Sequence, residues 1–177
     1  FEFVIDEEKD LKKELDRGAV DVISLLKSQA STSKYSVSDP HSRVLQAIFR
    51  HKSADEIISL ATLKGRKIGL LRGGIAYDNL RDRRDIEKKI VETRREGMLL
   101  LQRRGSDALF CSHQSGIALI NNLGLHDIEI AVSGLYPQDY CFVAKRSNKA
   151  VISLINEQLY QLQMSGQYSA LVQRELT

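Results

Sequence analysis

Apolar positions along the chain follow two patterns, which alternate with each other. Almost continuous apolar runs are typical of buried strands, and apolar stripes at every third or fourth position are typical of amphipathic helices. The runs predict strands at 1–5, 19–26, 44–49, 67–71, 86–92, 107–111, 128–132 and 140–144. The stripes predict helices at 10–17, 75–80, 94–104 and 112–122, followed by two helices between Ser147 and Leu176. Strands that alternate with helices indicate an α/β fold with parallel sheets.

Several local signals refine this outline. Gly18 and Gly166 occupy positions where a helix-ending left-handed residue is expected. The apolar run 19–26 predicts a parallel strand that is covered on both faces. Asp39-Pro40 predicts a break ahead of the strand at 44–49, and Ser147 predicts the N-cap of the long helix that follows it.

The composition is that of an ordinary globular protein. The 177 residues are 42% hydrophobic and 28% charged, which excludes disordered and fibrous classes. No apolar run reaches the roughly 20 residues that cross a bilayer, and residues at the amino end lack the pattern of a secretion signal. We therefore expect a soluble mature piece. Its location stays open, because a signal peptide or anchor can be removed from such a piece.

Charge argues against a nucleic-acid partner. The net charge is only +3, and no aromatic residues accompany the basic stretch as base-stacking platforms. That stretch comprises Arg81, Arg83, Arg84, Lys88, Lys89, Arg94, Arg95, Arg103 and Arg104. Acidic residues are interleaved with it, so a solvated face is the main interpretation and a docking surface is the alternative.

Two cysteines, Cys111 and Cys141, allow two interpretations. They form a disulfide in an oxidising compartment if their α-carbons lie within roughly 7 Å. Otherwise they are two small buried hydrophobic residues.

Four segments, in this order and spacing, resemble one family. They are 10–21, 37–40, 63–74 and 151–171, the last with Ser165-Gly166-Gln167-Tyr168 inside it. Together they resemble the type II periplasmic (extracytoplasmic) solute-binding proteins, in the family of polar amino-acid binders. The resemblance covers nearly the whole chain.

The resemblance implies an α/β fold of two lobes, with two parallel-rich sheets joined by two hinge strands. Residues 1–45 and 145–177 would form lobe 1, and residues 46–144 would form lobe 2. The hinge strands would lie near 46–50 and 140–143. Family members begin with a further strand, a cleft loop and a helix, so we expect the amino-terminal strand and helix to be missing ahead of Phe1.

Ligands of open α/β sheets bind beyond the carboxyl ends of strands, which selects three candidate segments. The first is the polar loop Lys27-Ser28-Gln29-Ala30-Ser31-Thr32, which the resemblance makes a cleft loop. The second is Arg72-Gly73-Gly74-Ile75, where free backbone N–H groups at a helix start favour an anionic or carbonyl group. A tight turn that needs glycine explains this second segment equally well. The third is Cys111-Ser112-His113.

Two of these segments depart from the family. Amino-acid binders usually carry an arginine close to Ser31 or Thr32 that clamps the ligand carboxylate, and Lys27 and Lys34 do not supply that planar fork. They also often place an aspartate for the ligand ammonium where this chain has Ser112. The resemblance therefore implies a ligand other than an ordinary α-amino acid.

No sequence pattern predicts a catalytic site, a metal site or a cofactor site. Cys111 and His113 alone fall short of a closed zinc set. Gln114-Ser115-Gly116 is not a nucleophile elbow, and no lysine-bearing phosphate loop follows Gly73-Gly74.

The predicted function is extracytoplasmic small-molecule binding by cleft closure, as the ligand-sensing domain of a transmembrane signalling protein. The alternative is a substrate-binding protein of an ABC-type transporter for an amino acid or related solute. The partners are accordingly a small-molecule ligand, with either an output domain of the same chain or a membrane transporter. An enzyme built on this fold is a third hypothesis, and the lack of a catalytic constellation argues against it.

Overall fold

The structure is a computed structural model that describes residues 8–176. Its helices are α1 (Glu8–Arg17), α2 (Ile75–Leu80), α3 (Arg94–Gln102), α4 (His113–Leu123), α5 (Lys149–Met164) and α6 (Gln167–Leu176). Its strands are β1 (Val22–Leu26), β2 (Tyr35–His51), β3 (Lys67–Leu71), β4 (Glu87–Val91), β5 (Ala108–Ser112) and β6 (Ile128–Lys145). The strand predicted at 1–5 lies outside the described residues.

The predicted α/β class is confirmed, and the strand pairing is mixed. The hydrogen-bonded order is β1-β6-β2-β5-β3-β4. β3 pairs in parallel with β4 and β5, whereas β1 pairs antiparallel with β6 and β2 pairs antiparallel with β5. The strand predicted as parallel at 19–26 pairs antiparallel with β6, its partner among residues 8–176. An apolar run indicates that a strand is buried, but it does not indicate whether the strand pairs in parallel or antiparallel.

The chain divides into two compact units. Unit 1 contains the described residues up to Arg43 and those from Gln138 onward, and unit 2 is Val44–Pro137. The chain therefore leaves unit 1 within β2 and returns to it within β6. The lobe and hinge boundaries given by the family resemblance stay predictions.

The core of unit 1 lies between α1 and the strand pair β1–β6. Leu15 of α1 is fully buried and packs in one cluster with β-strand side chains of both partners, Ile23 and Leu25 of β1 and Val143 of β6. Gly18 ends α1 with φ +82°, as predicted. The positive φ turns the chain directly into β1.

The sheet of unit 2 is covered on both faces. Alternate residues of β5 point to opposite sides: Phe110 packs in one core cluster with Ala76 and Leu80 of α2, and Leu109 packs in another with Met98 and Leu101 of α3. This alternation follows from the two-residue period of a strand. It explains why β5 reads as a continuous apolar run.

Two predicted interruptions of strands are absent. β2 continues through Asp39-Pro40, and the segments predicted at 128–132 and 140–144 belong to one strand, β6. Near Pro40, side chains replace ladder bonds: the Phe142 N–H donates to Ser38 Oγ at 2.9 Å, and the Asp39 N–H donates to Asn156 Oδ1 at 2.9 Å. A strand whose donors are satisfied in this way tolerates a proline.

The predicted N-cap Ser147 was also wrong. Ser147 lies in a 3₁₀ turn, Arg146–Asn148, and α5 begins at Lys149 after Asn148, which makes no side-chain cap hydrogen bond. The extra turn moves the N-cap by one residue, from Ser147 to Asn148.

Candidate ligand-binding site

Three strands of unit 2 end at one edge of its sheet. β3, β4 and β5 are parallel neighbours, with Gly69 of β3 opposite Lys89 of β4 and Leu109 of β5. Parallel strands present their carboxyl ends at the same edge, which is where open α/β sheets bind ligands. The structure thus brings together two of the predicted segments, Arg72–Ile75 after β3 and Cys111–His113 at the end of β5.

The segment after β3 is a tight turn in which Gly73 has a backbone conformation that favours glycine and Gly74 packs closely against Leu71. Gly73 has φ +65°, a conformation that side-chain-bearing residues rarely adopt. A Cβ on Gly74 would lie 3.1 Å from the carbonyl oxygen of Leu71, to which the Gly74 N–H donates at 2.9 Å. Ile75 then opens α2, which has only six residues. The turn accounts for the glycines by itself.

Arg72 is held by an ion pair along the same edge. Its Nε lies 2.7 Å from Oε1 of Glu92, the residue after β4. The hydrogen bond to Glu92 raises the pKa of the Arg72 guanidinium. Both side chains are more than half exposed. The ion pair therefore connects the ends of β3 and β4 and leaves Arg72 accessible to solvent.

The end of β4 is a part of this edge that the sequence-based prediction omitted. Thr93 Oγ1 accepts the Glu96 N–H at 3.1 Å, and the Glu96 carboxylate accepts the Glu92 N–H at 2.8 Å. Arg94 is the first residue of α3. The Thr93-Arg94-Arg95-Glu96 sequence matches the S/T-x-x-E capping box. The helix start at Arg94 was predicted, but the strand end before it was not included among the candidate segments.

At the end of β5, burial separates the three predicted residues. Cys111 is only 3% exposed and packs in the core cluster of Ala47 and Leu109, whereas His113 is half-buried at the start of α4. Burial raises the pKa of the Cys111 thiol, and the charge of Arg94 opposes that shift. Ser112 is 8% exposed. Ser112 is therefore buried like Cys111, and His113, the first residue of α4, is the most accessible member of this segment.

In unit 1, the segment after β1 presents polar groups to solvent. Lys27–Gln29 forms a 3₁₀ turn in which Ser28 Oγ donates to Gln138 Oε1 at 3.2 Å. Ser31 and Ser33 share a hydrogen bond of 2.9 Å between their hydroxyls. Lys27, Ser28, Gln29, Ser31 and Thr32 are all exposed, and Ala30 between them is buried. The buried alanine anchors the loop, so that its polar neighbours face outward.

The far end of this loop is fixed to α1. Asp16 accepts hydrogen bonds from Lys34 Nζ at 2.6 Å and from the Tyr35 hydroxyl at 2.8 Å. These hydrogen bonds, from Lys34 first and Tyr35 second, lower the pKa of the Asp16 carboxyl. Lys34 is therefore engaged by an acid of its own unit.

Two surface pockets of unit 1 lie apart from the predicted segments. One, of about 330 Å³, is lined by Gly18, Val20, Asp21, Lys145, Ser147 and Asn148. The other, of about 490 Å³, is lined by Asp16, Lys34, Tyr35, Lys145, Arg146 and Ser147. Neither contains a residue from 27–32, so these pockets do not mark the predicted loop.

Three further observations concern cysteines, metals and membranes. Cys111 and Cys141 are both buried and free. Among residues 8–176, no group of three or more histidine, cysteine or acidic side chains is placed to hold a metal ion. No helix in that same range combines the length and the hydropathy needed to cross a bilayer.

Comparison with known proteins identifies similar folds. No family model matches the sequence, and no curated protein matches it. The fold is similar to a histidine kinase sensor domain with similarity to periplasmic binding proteins, with a TM-score of 0.76, 24% identity, and coverage of 94% of this chain and 74% of that chain.

Two other solved structures show the same likeness. The periplasmic VFT2 domain of Bordetella pertussis BvgS gives a TM-score of 0.77 at 22% identity, with 96% of this chain and 73% of that chain covered. A P235GK mutant of the arginine-binding protein ArgBP from T. maritima gives 0.74 at 19% identity, with 97% and 75% covered. The chain therefore has the fold of the periplasmic binding proteins, as its sequence resemblance implies.

Proposed function

We propose that the chain is the ligand-sensing domain of a transmembrane signalling protein, located outside the cytoplasm. It binds a small molecule and catalyses no reaction. The observation that carries this proposal is the edge of unit 2, where polar residues follow β3, β4 and β5 in a fold shared with solved sensor domains. Sites of this kind bind ligands at the carboxyl ends of parallel strands.

The proposed ligand-binding residues are those predicted from the sequence, in unit 1 and in unit 2. Unit 1 contributes the exposed loop residues Lys27, Ser28, Gln29, Ser31 and Thr32. Unit 2 contributes the turn Arg72–Ile75 together with Ser112 and His113, while Cys111 supports them from the core. Hydroxyl, amide and backbone groups dominate this set, and they suit a ligand with several hydrogen-bonding oxygen atoms.

Ligand binding closes one lobe on the other in this proposal, with bending confined to two strands. β2 and β6 are the strands within which the chain passes between the two units. Hinges formed by a few residues at such crossings allow domains to close around a ligand. The lobes are 1–45 with 145–177 and 46–144, and the hinge segments are 46–50 and 140–143.

A thermal-shift screen of small metabolites tests the proposal. A ligand at a hundred times its dissociation constant stabilises the folded state by roughly 2.7 kcal/mol, which raises the melting temperature. We expect Ser31→Ala and Ser112→Ala to reduce that shift, and Ser133→Ala, at an exposed position of β6, to leave it unchanged. A broad screen in which no compound raises the melting temperature contradicts the proposal.

A transport-linked binding protein is the second candidate, and the likeness to an arginine-binding protein favours considering it. The protein sequence on either side of this segment, together with the neighbouring genes, distinguishes the sensor from the transport-linked binding protein. A membrane-spanning segment followed by a kinase or other output module supports the sensor. A secreted or lipid-anchored protein encoded beside a transporter supports the alternative.

A further inference from the structure

The loop after β1 is attached to β6 at the point where the chain returns to unit 1. β1 and β6 are antiparallel, with Leu26 opposite Tyr140. The same register, continued by two residues, places Ser28 opposite Gln138. There Ser28 Oγ donates to Gln138 Oε1 at 3.2 Å, and Gln138 is the first residue of unit 1 after the chain leaves unit 2. The hydrogen bond therefore connects a predicted ligand-binding residue to the crossing within β6.

The next residue of β6 is attached to the other crossing. Arg43 Nε donates to Asp139 Oδ1 at 2.7 Å, and Arg43 is the last residue of unit 1 before the chain enters unit 2. The Asp139 side chain is only 24% exposed. The hydrogen bond from Arg43 lowers the pKa of the Asp139 carboxyl, and the charge of Lys27 adds to this effect. One carboxylate thus interacts with the crossing in β2 and with the loop after β1.

Both contacts are weak enough to break and re-form. The Arg43 side chain is 64% exposed, and ion pairs of such exposed groups contribute little to stability. The hydrogen bond between Ser28 and Gln138 joins two uncharged side chains at the surface, and its net contribution is also modest. Contacts of this strength position two segments relative to each other and still allow the strands to bend.

We infer that the loop after β1 and the two crossings form a mechanical relay. In this relay the Ser28–Gln138 hydrogen bond and the Arg43–Asp139 ion pair couple the conformation of the loop to bending of β2 and β6. The four residues form a contiguous set of contacts, as coupling through packed groups requires. This inference rests on the proposed function and adds to it the route by which a ligand on the loop acts on the crossings. Arg43, Gln138 and Asp139 are positioning residues outside the proposed ligand-binding set.

Amide hydrogen exchange on the ligand-free chain, followed by NMR, tests the relay. The amides of Ala30, Lys34 and Tyr35 donate to backbone carbonyls of the loop, so their exchange reports its opening. Arg43→Gln removes the ion pair in β2 and leaves every hydrogen bond of the loop in place. We expect this variant to speed exchange of the three loop amides about 2- to 5-fold, because loss of an exposed ion pair changes an equilibrium by about that factor.

The reverse experiment starts from the loop. Coupling between two positions is reciprocal, so Ser28→Ala should speed exchange of the amides that flank Arg43 in β2. Asp139→Asn removes the charge and keeps the shape of the side chain, and it should reproduce the effect of Arg43→Gln. Because both variants remove the same ion pair, combining them should add less than about two-fold to the effect of either one.

Arg17→Gln is the matched control. Arg17 forms an ion pair with Glu14 in α1, also in unit 1, and the two side chains are 67% and 22% exposed, against 64% and 24% for Arg43 and Asp139. Its loss should leave exchange of the loop amides within experimental error of wild type. Thermal unfolding of each variant shows that it is folded at the temperature of the exchange measurement.

The outcomes separate the relay from the proposed function. If Arg43→Gln changes exchange only around Arg43, or if Arg17→Gln speeds exchange of the loop as much, the relay is wrong and small-molecule binding stands. Because the exchange measurement uses no ligand, a thermal-shift screen without a binding compound counts against the proposed function alone.

Discussion

The ring of Phe49 rests against the bare α-carbon of Gly116. A Cβ on Gly116 would lie 2.0 Å from Cζ of Phe49, and the ring is fully buried. The contact lets α4 lie directly on β2, and it fixes the helix whose first residue is His113. A glycine in mid-helix costs stability by itself, so this close approach explains its presence.

Gly116→Ala should therefore destabilise the fold. Overpacking a rigid core costs about 1–3 kcal/mol, which outweighs the gain of about 1 kcal/mol in helix propensity. Urea unfolding measures the loss. Gln114→Ala, at an exposed position of the same helix, should change the unfolding free energy by less than about 0.5 kcal/mol. Equal stability of Gly116→Ala and wild type would show that the ring can move aside.

Arg66 should prove important for the segment that leads into β3. Its guanidinium donates to three carbonyl oxygens, those of Thr62, Asp55 and Glu56, at 2.9, 3.2 and 2.9 Å. Hydrogen bonds to charged groups contribute about 1.5–3 kcal/mol, so Arg66→Ala should cost about 2 kcal/mol in urea unfolding. Arg84→Ala, which removes an exposed arginine, is the control and should be nearly neutral. A similar small effect in both variants would contradict this role.

His41 should make stability depend on pH near neutrality. Its Nε2 lies 2.9 Å from Ser24 Oγ, and its ring centroid lies 4.3 Å from that of Phe142. Burial lowers the pKa of the His41 imidazole. Below the ordinary value of about 6.5 the unfolded chain binds a proton that the folded chain still rejects, so stability falls as pH drops from that value toward the lower folded pKa.

The comparison that tests this runs over pH 7.5 to 5.5. Urea unfolding should show a larger loss of stability for wild type than for His41→Phe, which removes the titrating group. His126→Gln, at an exposed histidine, should keep the wild-type pH dependence. If His41→Phe and wild type lose stability in parallel, the imidazole does not titrate as described.

The two cysteines should react slowly in the folded protein. Burial raises the pKa of both thiols, Cys111 and Cys141, and the thiolate is the reactive form. A thiol reagent should label them fully in urea and only slowly without it. An added surface thiol, Ser133→Cys, should react at once under native conditions. If the reagent labels neither cysteine in urea without reductant, the two cysteines form a disulfide and are not free.

The sequence predicted best where glycines and apolar runs mark the ends of elements. β3 and α2 have the predicted bounds because Gly73-Gly74 separates them. The continuity of β2 and β6 could not be predicted, because it depends on contacts between distant residues such as Ser38 and Phe142. β2 contains Pro40, and β6 contains Gly134 and Tyr136 at positive φ, so both strands continue through residues that often interrupt a strand.

The site residues stay a prediction, and the sequence-based selection of strand ends omitted one of them. The strand ends after β3 and β5 follow from the apolar runs alone. The polar end of β4, at Glu92 and Thr93, was missed because it lies in a stretch of interleaved charges that is typical of a solvated face. The Arg72–Glu92 ion pair and the hydrogen bond from the Glu92 N–H to the Glu96 carboxylate are contacts between strand ends, and they become visible only in the structure.

The division of the chain also sets an order for biosynthesis. Unit 2 is an unbroken segment, Val44–Pro137, and it can fold as soon as that segment leaves the ribosome. Unit 1 is completed later, because the partner of β1 within residues 8–176 is Tyr140–Ala144 of β6. At about 5–20 residues per second, the first part of unit 1 therefore waits roughly 5–20 s for its completion. During that interval the apolar side chains of β1 are not yet buried against β6. The part of unit 1 that precedes Val44 is therefore the segment of the nascent chain most prone to aggregation.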